Sequence, residues 1–265
     1  MIYNYENILV SVVIPTYNAS QFIEETIKSV QSQTFNHWEI IVVDDCSKDD
    51  TVSKVQKMID SDNRISLIKL DVNYGGPAGP RNIGISKSIG KYIALLDSDD
   101  IWHPKKLEIQ MQYMKSSSAS FICSMMQDFT CTSGISFKNI DISTISISRI
   151  NYLRQSLRAS IPASSILIEK DIVNKIKFFE SISFKAVEDY HCWLRVLDLN
   201  IHCVKINEPL LYYRKSEGQI SSSKIYMLKK VFMVHRSLKR SLIVSTLLTI
   251  SHIIGAVLRS IRKTM

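Results

Sequence analysis

No cysteine pair of the C-x-x-C kind occurs in this chain. Its five cysteines, Cys46, Cys123, Cys131, Cys192 and Cys203, are odd in number and far apart, so their spacing gives neither a zinc site nor a disulfide framework. No basic stretch followed by an apolar run opens it either. Met1 to Asn7 is polar and carries Glu6, so no signal peptide is expected and the cytoplasm is the expected compartment. A G-x-G-x-x-G turn is also missing. The glycine-rich stretch Gly75-Gly76-Pro77-Ala78-Gly79 follows the third apolar run instead of the first, which speaks against a dinucleotide-binding dehydrogenase. Acidic residues are almost absent from the last part. From Arg214 onward eleven Lys/Arg face one carboxylate, Glu217, so the net charge of +8 resides there and the preceding chain is about −2. A nucleic-acid groove across the fold is therefore not expected, and a basic tail that meets anionic lipid is. No internal repeat is visible.

What is present is material for a core. Hydrophobic residues make up 45% and charged residues 22%, a balance that excludes a disordered chain. Val10–Ile14, Glu39–Val43, Ile65–Leu70 and Tyr92–Leu96 are apolar at nearly every position, as parallel strands covered on both faces require. Between them Phe22, Ile23, Ile27 and Val30, then Val52, Val55 and Ile59, then Ile83, Ile85 and Ile89 recur at helical spacing. The alternation predicts a doubly wound, mostly parallel α/β sheet. Polar clusters follow three of the strands: Pro15-Thr16-Tyr17-Asn18, Asp44-Asp45 and Asp97-Ser98-Asp99-Asp100. Ligands of open parallel sheets bind beyond the carboxyl ends of strands, so these clusters converge on one site. An Asp after a strand also serves as a turn residue or helix cap. Carboxylates gathered from two such ends would repel one another, which implies a metal or a cationic ligand. From Ser116 to Ser148 serine, threonine and isoleucine dominate and the pattern predicts loops and short strands. Ser164–Ile168 is expected as another strand and Val187–Leu199 as a helix.

The motifs carry a resemblance. Ser11-Val12-Val13-Ile14-Pro15-Thr16-Tyr17-Asn18, Val42-Val43-Asp44-Asp45-Cys46-Ser47-Lys48-Asp49-Asp50-Thr51, Asn73-Tyr74-Gly75-Gly76-Pro77-Ala78-Gly79-Pro80-Arg81-Asn82, Leu96-Asp97-Ser98-Asp99-Asp100 with Pro104, and Glu188-Asp189-Tyr190-His191-Cys192-Trp193-Leu194 occur in order. Together they resemble the family-2 glycosyltransferases of GT-A fold, strongly to about residue 107 and again from 186 to 222. The resemblance implies an inverting, metal-dependent transfer from a nucleotide sugar. It places Pro15, Tyr17 and Asp45 on the nucleobase and Arg81 near the nucleotide. Asp97, with Ser98, falls near the ribose, and Asp99 on Mn²⁺ or Mg²⁺, a hard cation suited to carboxylate and diphosphate oxygens. Asp100 caps the following turn or joins the site. Asp189 is the expected general base, with Glu188 orienting the base or the acceptor. An acidic pair at a helix start is also favourable to the helix dipole alone. His191 and Trp193 are expected to be packing residues. Leu210-Leu211-Tyr212-Tyr213-Arg214, followed by Gly218 and Ser221–Ser223, resembles a strand and mobile loop that fold over the donor, with Arg214 on the diphosphate or simply on the surface.

The chain divides on this reading into a nucleotide-sugar-binding half (1–115), an acceptor-binding half (116–222) and a basic amphipathic helical tail (223–265). Within the tail Ser241–Leu258 has no charged residue and is flanked by Arg236, Lys239 and Arg240 and by Arg259, Arg262 and Lys263. Six polar residues between Ser241 and His252 suit it poorly to span a bilayer. A helix lying in the interface, or one packed on the core, fits better. Expected partners are a UDP-sugar and a polyprenyl-diphosphate-linked glycan, with the protein peripheral on the inner face of the membrane. A nucleotidyltransferase and a non-catalytic nucleotide-sugar sensor are the rival readings. The first lacks its basic glycine-rich loop after strand one, and intact Asp97, Asp99 and Asp189 argue against the second.

Overall fold

Four strands, β1 (Val10–Thr16), β2 (Trp38–Asp44), β3 (Ile65–Lys69) and β4 (Tyr92–Leu95), run parallel in the order β3-β2-β1-β4, with β3 half-exposed at the sheet edge and the other three buried. The structure is a computed structural model describing residues 9–215 and 224–264, with side chains in the second segment for 225–255. Because successive residues of a strand face opposite sides, the continuous apolar runs feed two cores. Val12, Ile14, Ile40, Val42 and Ala94 pack with Ile23, Ile27 and Val30 of α1 (Ile23–Gln31) and Val55 and Met58 of α2 (Thr51–Ser61). Val13, Ile93 and Leu95 pack on the other face with Ile85 of α3 (Ala78–Lys87). Gly84 lets α3 close onto the sheet, since a Cβ there would overlap Val13 Cγ1.

Helix α3 begins earlier than the apolar spacing predicts and stops before Ile89. Ser88 is extended, its hydroxyl donates to the Ile85 carbonyl, and Ile89 is 76% exposed. Its apolarity matched a helical period by coincidence of spacing.

Beyond β4 the sheet becomes mixed. It continues through β5 (Ile101–Trp102), α4 (Lys106–Ser116), β6 (Phe121–Phe129), β7 (Ile147–Ile150), α5 (Tyr152–Leu157), β8 (Leu167–Glu169), α6 (Lys170–Ile176), α7 (Glu188–Leu197) and β9 (Cys203–Arg214). Short β8 inserts antiparallel between β4 and β6, and β9 runs parallel to β6 but antiparallel to β5 and β7. One sheet thus joins the two expected halves. Ser164, expected in a strand, sits in a 3-10 turn, Ala163–Ser165, just before β8. There its hydroxyl accepts the Asp97 N–H and its carbonyl accepts Trp102 Nε1–H. That turn therefore braces the loop after β4.

The tail forms two helices, α8 (Lys224–Ser237) and α9 (Leu242–Thr264). Val231 and Val234 of α8 pack on Phe184, Val187, Tyr190 and Leu194 around α7. Among the described residues no helix is long and apolar enough to cross a membrane.

Candidate active site

The carboxyl ends of β1 and β2 are held level by their register, Thr16 opposite Asp44, and by the Asp45 N–H donating to the Thr16 carbonyl at 2.8 Å. Left-handed turns at Asn18 and Cys46 carry the chain away from both strands. Asp45 Oδ1 accepts the Tyr74 N–H at 2.7 Å and the Asp45 carbonyl accepts Asn73 Nδ2–H at 2.6 Å. The third polar segment is thereby tied to the second strand. Together they wall a groove of about 260 Å³ lined by Pro15, Tyr17, Asp45, the Gly75–Pro77 turn and Lys185. Tyr17 stands 51% exposed at its edge, and burial raises the Asp45 carboxyl above the usual carboxylate range. Lys185 was not foreseen. Its charge faces Asp45, and its one sequence signal is its place three residues before Glu188.

The loop Asp97–Asp100 turns tightly at the end of β4, with the Asp100 N–H donating to the Asp97 carbonyl. The Ser98 carbonyl is taken by Thr26 of α1. Burial, then the neighbouring Asp97 charge, lifts the Asp99 carboxyl to about 6. Asp100 is buried and caps no turn: its Oδ1 accepts the Arg214 N–H at 3.1 Å. Burial and the two neighbouring aspartates push its pKa well up.

Arg214, at the end of β9, is 4% exposed and so is no surface residue. Its Nε donates to the Asp99 carbonyl and its Nη2 to Glu25 Oε2, both at 2.7 Å. The guanidinium lies between the rings of Phe22 and Phe129, at 4.2 and 4.5 Å. It holds the aspartate loop from behind and does not line the groove. Gly218 and Ser221–Ser223, expected in a mobile loop after it, lie outside the described residues.

Arg81 joins the remaining parts. Its α3 position buries it to 2% exposure, where Nη2 donates to Asp97 Oδ1 at 2.6 Å and Nη1 to Glu188 Oε1 at 2.9 Å. The guanidinium is consequently held more firmly charged than usual by the carboxylates around it, against its burial. A left-handed turn at Ala186 aims the start of α7 at this point. Glu188 Oε2 is buried with no hydrogen-bond partner. Beside it, half-buried Asp189 accepts the Tyr190 N–H. Burial and then the Glu188 charge raise Asp189 to about 7, against the pull of Arg81. Trp193 packs between Phe121 and Phe178. His191 lies against Phe179 and Phe184, where burial keeps it neutral, its pKa lowered to about 4.

The structure thus brings Asp97, Asp99, Arg81, Glu188 and Asp189 to one place beside a groove edged by Pro15, Tyr17 and Asp45. Among the described residues no three His, Cys, Asp or Glu side chains form a closed metal cage. Asp97 and Asp99 offer two hard oxygen donors, one already paired with Arg81. Such a pair suits a cation that completes its shell with ligand oxygens and water.

A parallel half, completed by antiparallel strands and carrying an aspartate loop after β4, is the GT-A arrangement of a glycosyltransferase. The chain belongs to glycosyl transferase family 2, whose sequence pattern matches residues 11–176. It is 33% identical over 236 residues to TuaG of Bacillus subtilis (strain 168), named for teichuronic acid biosynthesis, covering 88% of this chain and 89% of that one. It is 34% identical over 226 residues to Escherichia coli WfgD, a UDP-Glc:alpha-D-GlcNAc-diphosphoundecaprenol beta-1,3-glucosyltransferase, covering 85% of this chain and 84% of that one. In fold it matches S. aureus TarS 1-349 in complex with UDP-GlcNAc, with a TM-score of 0.70 and 23% identity, covering 88% of this chain and 67% of that one.

Proposed function

We propose that this chain is an inverting glycosyltransferase that transfers a hexose or N-acetylhexosamine from a UDP-sugar to a glycan carried on polyprenyl diphosphate. The setting is assembly of a bacterial surface polysaccharide at the inner face of the cell membrane, which the tail meets. The observation that carries the reading is the chain Asp97–Arg81–Glu188, which couples the aspartate loop to a near-neutral carboxyl at Asp189.

Each residue has a role that its position favours. Pro15 and Tyr17 pack on the uracil, and Asp45 accepts a base N–H. Lys185 sits across the groove as a cation for the nucleotide. Asp97 and Ser98 approach the ribose, and Arg81 fixes Asp97 against it. Mn²⁺ or Mg²⁺ at Asp99, when bound, neutralises charge on the departing diphosphate. Asp189 takes the acceptor hydroxyl proton as that oxygen bonds to the anomeric carbon, and the bond from that carbon to the diphosphate breaks on the opposite face. An α-linked donor then yields a β linkage, and UDP leaves. Arg214 serves by keeping the aspartate loop in shape. A diphosphoundecaprenol acceptor and a β linkage in the name of WfgD support the same reading. A nucleotidyltransferase or a sensor has no use for a base poised near neutrality.

The test is turnover of a panel of nucleotide sugars with a lipid-linked acceptor, with Mn²⁺ and with EDTA, in wild type and Asp189→Asn. Metal-dependent use of one UDP-sugar, reduced by about 10²–10⁴ in the variant, is expected. Metal-independent turnover, or full activity in Asp189→Asn, rejects the mechanism.

A further inference from the structure

Helix α9 is packed with its polarity reversed. Ser245 is fully buried, and Thr249 and His252 lie on the same inward stripe. Ile243, Leu247, Ile250 and Ile254, spaced to share one helix face, are between 44% and 72% exposed. A helix of a water-soluble core does the opposite. The outward stripe also does not end with α9. Ser251 Oγ donates to the Leu157 carbonyl at 2.7 Å and His252 Nε2 lies 3.0 Å from the Ser156 carbonyl. These contacts seat the middle of α9 on the end of α5, where Leu153 and Leu157, one helical turn apart, are exposed. Beside them Arg154 and Arg158 are exposed, as are Arg236 in the last turn of α8 and Lys239 in the connection to α9. The segments 142–168 and 218–265 contain no Asp or Glu at all. The face is apolar with a cationic border.

The same face is anchored to the proposed catalytic helix. Arg240 Nη1 donates to His235 Nδ1 at 2.7 Å, which leaves the proton of that neutral ring on Nε2. His235 Nε2 lies 3.3 Å and His252 Nε2 3.1 Å from the hydroxyl of Tyr190, the neighbour of Asp189. Arg240 Nη2 donates to Ser156 Oγ at 2.9 Å. One buried polar knot therefore joins α5, α7, α8 and α9.

We infer that α5 and α9 form a single docking face for an anionic lipid bilayer, with α9 lying in the interface plane, and that the Tyr190–His235–His252 knot sets the orientation of α7 toward that surface. The apolar stripe enters the headgroup boundary and the arginine and lysine border meets anionic headgroups. This deepens the reading of a membrane-carried acceptor and rests on it. Its particular content is that α5, far from the basic tail in sequence, is part of the lipid-contacting surface.

The experiment is flotation of the full chain with vesicles of phosphatidylcholine alone and with phosphatidylglycerol added, alongside light scattering of the free protein. Wild type is expected to float with the anionic vesicles. Leu153→Glu/Leu157→Glu is expected to lower partitioning by about tenfold or more, with an unchanged thermal midpoint and unchanged turnover of a water-soluble acceptor. Arg154→Glu/Arg158→Glu gives a second, independent loss, confined to anionic vesicles. Flotation of both α5 variants equal to wild type overturns the composite face. A wild-type chain that ignores anionic vesicles overturns the lipid partner, and a dimer dissociated by Leu247→Glu assigns the face to a second copy instead. Failure of the transferase reading is distinguished by intact flotation with no donor turnover.

Discussion

Replacing Arg81 by methionine tests the core of the site. The side chain is buried and donates to two carboxylates, Asp97 at 2.6 Å and Glu188 at 2.9 Å. Removing one partner of a buried ion pair costs about 3–5 kcal/mol, because the orphaned charge stays desolvated. Asp97 keeps 34% of its side chain in water while Glu188 keeps 7%, so the cost falls mainly on Glu188 and the lower end, about 3 kcal/mol, applies. For a chain of this size that is a fall of about 6–12 °C in melting temperature. Arg81→Met/Glu188→Met removes both buried charges and is expected to recover most of the loss. Enzymatically the sign is separate. Arg81 holds Asp189 down against burial and the Glu188 charge, so its loss raises the pKa of the base further. The acid limb of kcat/KM then moves to higher pH, by about one pH unit for loss of a nearby opposite charge. Calorimetry of the single and double variants and a pH–rate profile of Arg81→Lys, which keeps the charge, provide the readings. A single variant as stable as wild type, or a double variant no better than the single, refutes the reasoning.

Three further outcomes follow from the same geometry. With Asp189 at about 7, wild-type kcat/KM should fall about tenfold per pH unit below that value, since the base works only when deprotonated, and a profile flat down to pH 5 would exclude this base. Arg214→Lys keeps the charge but cannot reproduce the fork on Asp99 and Glu25. It should reduce turnover with little change in the groove's affinity for UDP, which titration calorimetry would separate from a binding defect. His235 is lowered to about 3, by burial first and then by Arg240. The unfolded chain therefore binds a proton that the folded one refuses. The stability His235 contributes is complete above about pH 6.5 and is lost as pH falls toward that folded value, by up to about 2 kcal/mol at pH 5. Urea midpoints of wild type and His235→Gln at pH 7 and 5 should converge, and parallel curves would contradict it.

Strands β1, β2 and β4 were legible because their runs are apolar on both faces, and the three polar clusters at strand ends marked the site without any contact being known. Arg81 as a bridge was not legible. Its partners lie 16 and 107 residues away, and an arginine near a nucleotide site suggests phosphate before it suggests carboxylate. Arg214 misled in the same manner: its place after the last strand suggested a loop contact, while Phe22, Phe129 and Glu25, which hold it, come from remote segments. Strand β6 was obscured because its first four residues are buried and Met125 and Met126 are exposed, a pattern that matches neither strand type. The inward stripe of α9 was invisible for a plainer reason. Serine, threonine and histidine facing protein leave the same periodicity as the same residues facing water.

The antiparallel insertion of β8 bears on how the chain is made. As synthesis proceeds, β1 to β4 can assemble once Leu95 has emerged, but the free edge of β4 has no neighbour until Leu167–Glu169 follows. An unpaired edge of a buried parallel sheet is a template for pairing with other chains. The nascent protein therefore passes through an interval of aggregation risk set by translation speed across residues 96–169. Slow codons in that segment should lengthen the interval, and fast ones should shorten it.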